Sequence, residues 1–543
     1  MSDFRVYSTD GQIDGVSLYF VESTAPDSVE QRVNLEDAAP PGLKAVDPDQ
    51  AVRNIARDLA PEGMPQVDAN LVVMVHGFNT PRDRVLEFYD AARRAILADK
   101  DAISDAGRRT VCVGYRWPSE SIGSVVGSSL SALPIAPLSL LAGALASALA
   151  VVWVILSGFK LMAWGSPDLV RDLALVVAAG GIVLILTIAV FALLRAIVYF
   201  RDIYRATNYG VPDLVEVIRQ IDLETSDWVQ ELRRRGETAR KRIALSFIGH
   251  SMGGLLVTNT IRVLSDVFDR AAIRTRLSGE KRAGPATDAP GGLDTVPGEL
   301  GHVFTLMRFV LASPDIPAET LLADRANFLA SSLRRFREAY LFSNEGDEVL
   351  RLISTTVNYF SFPTLRRQYG YRLGNLEMLT SSFGLSSNAN SLDSLRTGSE
   401  SLSALSSDTT RQKDPSEVAK AFTYFDCTDY VDGDPPKGML TEARNYKQRD
   451  PKGRIPYLEH VKLLLLYALG GKSSINVHGG YFDGAVTQRL IYRLACLGFQ
   501  GAAHAYGDER QLLDECKNHQ IRVMCSERLS PKNQREREDM DLS

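Results

Sequence analysis

Cysteine is scarce in this chain. Five residues out of 543 (Cys112, Cys427, Cys496, Cys516 and Cys525) are odd in number and form no C-x-x-C pair. A disulfide scaffold and a zinc site are therefore excluded, and the count suits a reducing compartment. An excess of positive charge is also missing. Lys and Arg number 61 against 66 Asp and Glu, a net charge of −5, whereas a nucleic-acid binder usually carries a basic domain or stripe. The opening residues MSDFRVYSTDGQ lack the basic start and apolar stretch of a signal peptide, so the bulk of the chain is expected in the cytosol. No internal repeat is visible. Apolar residues are not lacking: the chain is 45% hydrophobic and 23% charged. That excludes a wholly disordered protein, because enough apolar side chain is present to offset ordering entropy.

Charge disappears altogether in two runs, residues 121–159 and 173–194. A bilayer core needs about 20 apolar residues of helix, and both runs reach that length. Pro134 and Pro137 suit the start of the first helix, and Trp153 and Trp164 lie near its far end, where interfacial aromatics collect. The connector GFKLMAWGSPDLVRD is short and carries two charges of each sign. Arg195, Arg201 and Arg205 follow the second run and favour the cytoplasmic side. The segment predicts a two-span hairpin (133–200) in contact with membrane lipid at the cytoplasmic, inner membrane, with the remaining chain and both termini cytoplasmic. A buried helical hairpin inside a soluble core is the alternative.

Around this segment, strand-like and helix-like runs alternate, the pattern of an α/β domain with a mostly parallel, doubly wound sheet. FRVYST and VSLYFVES predict an antiparallel edge pair, and LVVMVH (71–76) a central strand buried on both faces. Helix is expected over 82–98, strand over 110–115, and an amphipathic helix from Pro212 to the arginines before Gly236. Strand IALSFIGH (243–250) precedes the helical run GGLLVTNTIRVLSDVF. Further strands are HVFTLMRFVLAS, AYLFSN and FTYFDCTDY, with a helix over about 318–338 and another in TQRLIYRLACLG. Residues 275–300 and 381–416 have the composition of flexible insertions. The implied organisation is 1–120 and 206–500 as one interrupted α/β domain, 121–205 as the membrane insertion, and 501–543 as a C-terminal extension with a small strand and helix.

The chemistry-bearing signal is Gly249-His250-Ser251-Met252-Gly253, directly after a strand and before a helix. A nucleophile elbow places its serine on such a strained corner, and the flanking glycines avoid collision with neighbouring elements. The helix start adds backbone N–H groups and a positive dipole end suited to an oxyanion. Upstream, the strand LVVMVH runs into His76-Gly77-Phe78-Asn79. Gly77 permits a tight turn, so the amides of Phe78 and Met252 form a candidate oxyanion hole. His76 is expected to hold that loop rather than react, and His250 to pack.

HGFN after an apolar strand, then YRWPS, GHSMGG and LASPDI, resembles the α/β-hydrolase superfamily, and more narrowly a largely uncharacterised bacterial branch of it. The resemblance covers roughly 70–116, 210–270, 302–360 and 420–497. It implies an α/β-hydrolase fold and a Ser–acid–His triad in that chain order, with the acid two strands beyond the elbow. The best match for the acid is Asp347 in LFSNEGDEVLRL, although the serine-to-aspartate spacing is one residue longer than the branch's pattern. Asp315 in LASPDI is the rival acid, and Glu345 a third. The same order leaves His460, His478, His504 and His519 for the base. His478, in the Gly-rich stretch INVHGGYFDG, matches best, although the sequence reads V-H-G-G-Y where the branch has G-H-S-Y/F. His460 falls in a helical run, and His504 and His519 fall in the extension.

These residues imply a serine hydrolase that cleaves a carboxylic ester through an acyl-enzyme, with no metal or organic cofactor. The acidic string Asp426, Asp429, Asp432 and Asp434 lacks calcium-loop spacing and suits turn chemistry. Because the hairpin leaves from the strand edge that carries the serine, an acyl lipid or lipidated substrate is expected. A serine peptidase or amidase, and a non-catalytic membrane scaffold, are the alternatives.

Overall fold

A computed structural model of the chain describes, with short gaps and a few isolated residues elsewhere, residues 4–8, 15–25, 42–63, 68–103, 108–119, 198–237, 242–265, 299–317, 332–354, 372–375, 421–432 and 477–529. It divides into two units, one of Met1–Ser119 with Ile203–Ser543 and one of Glu120–Asp202. In the second, residues 198–202 are helical and Arg201 pairs with Asp202 at 3.1 Å. No helix among the described residues is long and apolar enough to cross a membrane. The two expected spans, the insertions 275–298 and 381–416, most of the expected helix over 318–338, Glu345 and His460 lie outside the described residues.

The first unit is α/β with a mostly parallel sheet. Its elements, in chain order, are β1 (Phe4–Ser8), β2 (Val16–Ser23), β3 (Lys44–Val46), α1 (Pro48–Leu59), β4 (Ala69–Val75), α2 (Arg82–Ala98) and β5 (Arg109–Arg116). After the insertion come α3 (Val211–Arg234), β6 (Ile243–His250), α4 (Met252–Leu264), β7 (Glu299–Leu300), β8 (Phe304–Ala312), β9 (Glu338–Ser343) and β10 (Phe422–Asp426). The chain ends with α5 (Ala485–Tyr506), α6 (Glu509–Asn518) and β11 (Arg522–Met524). The strand order is β11-β10-β9-β8-β6-β4-β5-β2-β1-β3, with β7 paired to β8. All pairs from β10 to β2 are parallel. The N-terminal pair β1–β2 is antiparallel, but it is not the border of the sheet: β3, for which the sequence offered no strong pattern, pairs beyond β1 and forms the edge.

Every residue of β4 is buried, as a run of apolar residues demands when both faces of a strand are covered. Val72 and Met74 point with Cys112, Ile248, Val310 and Phe342 into a core shared with α2 and α5. The alternate residues Leu71, Val73 and Val75 are equally buried toward the opposite face. There α1 packs on α3, and α3 on α4. Caps fix the helix ends. Asp47 accepts from the Gln50 amide at 3.0 Å ahead of Pro48, and Asp508 from the Gln511 amide at 2.7 Å.

Two departures from the sequence-based expectation concern the C-terminal quarter. The helix expected to stop at Gly498 continues to Tyr506 through a break at that glycine, which sits at φ 75°. The break frees backbone groups, and three neighbouring strands supply their partners. Asn70 of β4 donates to the Ala495 and Cys496 carbonyls at 3.3 Å and is itself held by Ser246 of β6 at 3.0 Å. Arg308 of β8 donates to the Cys496 carbonyl at 3.0 Å, and Glu338 of β9 accepts from the Phe499 amide at 3.0 Å. An unmet buried group would cost about 1–3 kcal/mol, so this polar row is what makes the break tolerable. Residues 501–526 are likewise no separate appendage. β11 pairs antiparallel with β10, Arg522 donates to Asp426 at 2.6 Å, and α6 packs on α5.

Candidate active site

Parallel strands end on the same side of a sheet, so β4, β6, β8 and β9 deliver their following residues to one edge. β6 turns into α4 at Ser251, whose backbone takes φ 53° and ψ −125°. A non-glycine residue held there stores about 1–3 kcal/mol of strain, and its neighbours hold it. The Ser251 amide donates to the Ala312 carbonyl at 3.0 Å, and its carbonyl accepts from Gly254 and Asp315 amides, each at 3.1 Å. The corner is too tight for side chains beside it. A Cβ on Gly249 would lie 2.6 Å from the Gly254 Cα, and one on Gly253 would lie 2.6 Å from the His76 carbonyl oxygen. Ser251 is fully buried, and its hydroxyl has no hydrogen-bond partner among the described residues.

The loop after β4 lies directly beside this corner. A Cβ on Gly77 would come within 2.9 Å of the Ser251 Cβ. Asn79 closes the turn at φ 55°, and the Thr80 hydroxyl donates to the Phe78 carbonyl at 3.0 Å. His76 is buried; its Nδ1–H donates to the Gly77 carbonyl at 2.8 Å, while Trp117 donates its indole N–H to the His76 carbonyl at 3.0 Å and stacks on its ring. Burial pushes the His76 imidazole down to about 3, which keeps it neutral. It therefore acts as a fixed brace for the Gly77-Phe78 turn. Phe78 brings its ring to 6.4 Å from the His478 ring.

His478 and Asp347 meet at this edge. The imidazole Nδ1 lies 2.7 Å from Asp347 Oδ2, and neither side chain is more than marginally exposed. Asp347 is oriented on all sides. Its Oδ1 accepts from the Val349 and Leu350 amides, each at 3.1 Å, and its carbonyl from the Asn375 side chain at 2.9 Å. The His478 loop is held from two directions: Asn344 donates to the Val477 carbonyl at 2.8 Å, and His250 Nε2–H donates to the His478 carbonyl at 3.1 Å. Burial first, and then the nearby His478, pushes His250 down to about 3, so it stays a neutral donor. The outer nitrogen of His478, Nε2, is buried without a partner among the described residues. With Nδ1 turned to the carboxylate, that nitrogen is left to take a proton.

Compared with family models, curated proteins and solved structures, the chain matches none of them.

The other candidates are engaged elsewhere. Asp315 pairs with Arg372 at 3.0 Å and accepts from the Ser354 hydroxyl at 3.0 Å; no hydrogen bond joins it to His478. His504 is exposed, and His519 hydrogen-bonds the Val431 carbonyl at 2.9 Å. Asp432 accepts from the Ala485 amide at 2.6 Å, ahead of α5. Among the described residues, no group of three or more His, Cys, Asp or Glu side chains is placed to hold a metal ion. Two contributors escaped the sequence reading. One is His250, expected only to pack, which braces the His478 backbone. The other is Ser313, whose hydroxyl hydrogen-bonds Asp347 Oδ2. Its only sequence signal was its place after a strand in LASPDI.

Proposed function

We propose that the protein is a serine hydrolase of the α/β-hydrolase type that cleaves carboxylic esters through an acyl-enzyme. The observation that carries this reading is the coincidence of two unmet buried groups at one sheet edge: the Ser251 hydroxyl on its strained corner and Nε2 of an imidazole whose other nitrogen faces Asp347. Such groups are costly unless a reaction uses them. In the reaction, His478 Nε2 takes the Ser251 proton as the hydroxyl oxygen adds to the ester carbonyl. Asp347 holds the imidazole tautomer and stabilises the imidazolium. The oxyanion is received by the Phe78 and Met252 amides. The imidazolium returns its proton to the departing alkoxide, leaving an acyl-Ser251 that water, deprotonated by the same imidazole, releases as the acid.

The two long uncharged runs support membrane anchoring of this enzyme at the cytoplasmic face through the hairpin 133–200. Residence at a lipid surface favours an acyl lipid or lipidated ester as substrate. The test is labelling by a fluorophosphonate, which forms a covalent bond only with an activated serine. The wild type should label in the membrane fraction, Ser251→Ala should not, and a chain lacking residues 122–200 should label in the soluble fraction. A folded wild type that does not label would sink the enzyme reading and leave a non-catalytic scaffold.

A further inference from the structure

Asp347 Oδ2 receives more than His478. The Ser313 hydroxyl donates to the same oxygen and lies 3.4 Å from His478 Nδ1. All three side chains are buried, Ser313 and Asp347 completely. Ser313 follows β8, takes φ 47° and is the last residue before Pro314. Its amide donates to the Phe342 carbonyl at 3.0 Å. A Cβ on Gly374 would approach the Ser313 Cα within 2.9 Å, so that segment presses directly on its backbone. The strain of a left-handed serine is thus maintained from two sides, and its product is a hydroxyl fixed on the carboxylate.

We propose that Ser313 is the fourth member of the Ser251–His478–Asp347 arrangement, a positioning residue that aims Asp347 Oδ2 at His478 and tempers its pull on the imidazole proton. This rests on the hydrolase reading. Two N–H donors hold Oδ1, so Ser313 and His478 together determine the rotation of the carboxylate about its last bond. By donating to Oδ2, the hydroxyl also disperses charge that the imidazolium would otherwise meet in full. Among the described residues, the other ionisable groups facing this pair are His250, whose ring lies 5.0 Å from that of His478, and Tyr481, a buried phenol whose ionisation burial suppresses and Asp347 opposes further.

The test uses the full-length protein with Ser313→Gly, which removes the hydroxyl yet adopts positive φ without strain, and Ser313→Ala as a second variant that keeps the Cβ. Two readouts are followed: the NMR titration of the His478 imidazole, and the rate of fluorophosphonate labelling. Loss of the donor strengthens the Asp347–His478 pair and should raise the His478 midpoint by about 0.5–1 pH unit. Loss of aim should slow labelling about tenfold in both variants. An unchanged or lowered midpoint in Ser313→Gly, or labelling at the wild-type rate, overturns the proposal. If only Ser313→Ala is impaired, the backbone angle matters and the hydroxyl does not, which also overturns it. Because the titration needs no turnover, absence of labelling in the wild type would count against the hydrolase reading, while the midpoint would still decide the role of Ser313.

Discussion

Two buried carboxylates stand one strand apart at the sheet edge that carries Ser251, after β8 and after β9, and they have opposite fates. Asp315 is met by a guanidinium, Arg372, and by the Ser354 hydroxyl. Asp347 is met by an imidazole, His478, by Ser313 and by two amides. Burial does not separate them, since both side chains are inaccessible. Their partners do. A permanent cation neutralises Asp315 and leaves it nothing to exchange, whereas an imidazole gives Asp347 a partner whose charge can change. Among the described residues, Asp315 meets the Ser251 corner through its backbone amide, which donates to the Ser251 carbonyl. In the proposed hydrolase, one region anchors the corner and the other serves it.

The contrast is broken most forcefully by exchanging each carboxylate for its amide. Asp347→Asn should lower the rate of ester turnover by about 10³–10⁴-fold, since an amide no longer imposes the tautomer, with a smaller effect on stability. Asp315→Asn should leave turnover within about threefold of wild type. It should cost about 1–3 kcal/mol in urea unfolding, because Arg372 loses the carboxylate that pairs with it at 3.0 Å. Replacing both partners, Asp315→Leu with Arg372→Met, should recover most of that loss. A turnover collapse in Asp315→Asn with Asp347→Asn spared would reverse the two assignments.

Acid sharpens the same contrast. The same edge carries His250, after β6, and His76, after β4, both held near 3 by burial against an ordinary value of 6.5. Unfolding lets them take up protons between those limits, so the unfolded state binds more protons there. Their contribution to stability is complete above about pH 6.5 and is lost as pH falls toward about 3, at up to about 1.4 kcal/mol per pH unit for each histidine. Unfolding free energies measured from pH 7 to pH 4 should show this slope. His250→Gln should remove close to half of the histidine share while its amide continues to brace the His478 carbonyl. The Asp315→Leu/Arg372→Met pair should retain the histidine share in full. A slope unchanged in His250→Gln would mean that the imidazole is not held neutral.

Legibility in the sequence followed the same division. Elements whose apolar pattern is decided locally were readable almost to the residue. α2 occupies Arg82–Ala98 and β6 Ile243–His250, where periodicity and flanking turns agree. The corner at Ser251 was equally legible, because glycines at 249 and 253 leave a mark that composition does not blur. The choice between Asp315 and Asp347 was not decided by local pattern. Both follow buried strands, and the deciding partners, Arg372 and His478, are remote in the chain. Gly498 misled for a related reason. A glycine after a helical run ordinarily stops it, but here Asn70, Arg308 and Glu338 meet the freed backbone groups from three different strands. Tertiary partners also explain β3, a short strand whose sequence alone gives it little reason to be extended, and the pairing of β11, the small strand expected in the extension, with β10.

The smallest effects should still separate the two regions, and each comes from removing one side-chain donor. Ser354→Ala removes one donor from the Asp315 carboxylate and should cost about 1.5 kcal/mol of stability. Because Arg372 remains in place, turnover should not change. Asn344→Ala removes the donor to the Val477 carbonyl, one residue before His478, at a similar cost in stability. There the released loop carries the imidazole, so turnover should fall severalfold, with the loss in kcat rather than in KM. Equal turnover in the two variants would show that rigidity is shared evenly along the edge. Unequal turnover at equal stability would tie it to the histidine side alone.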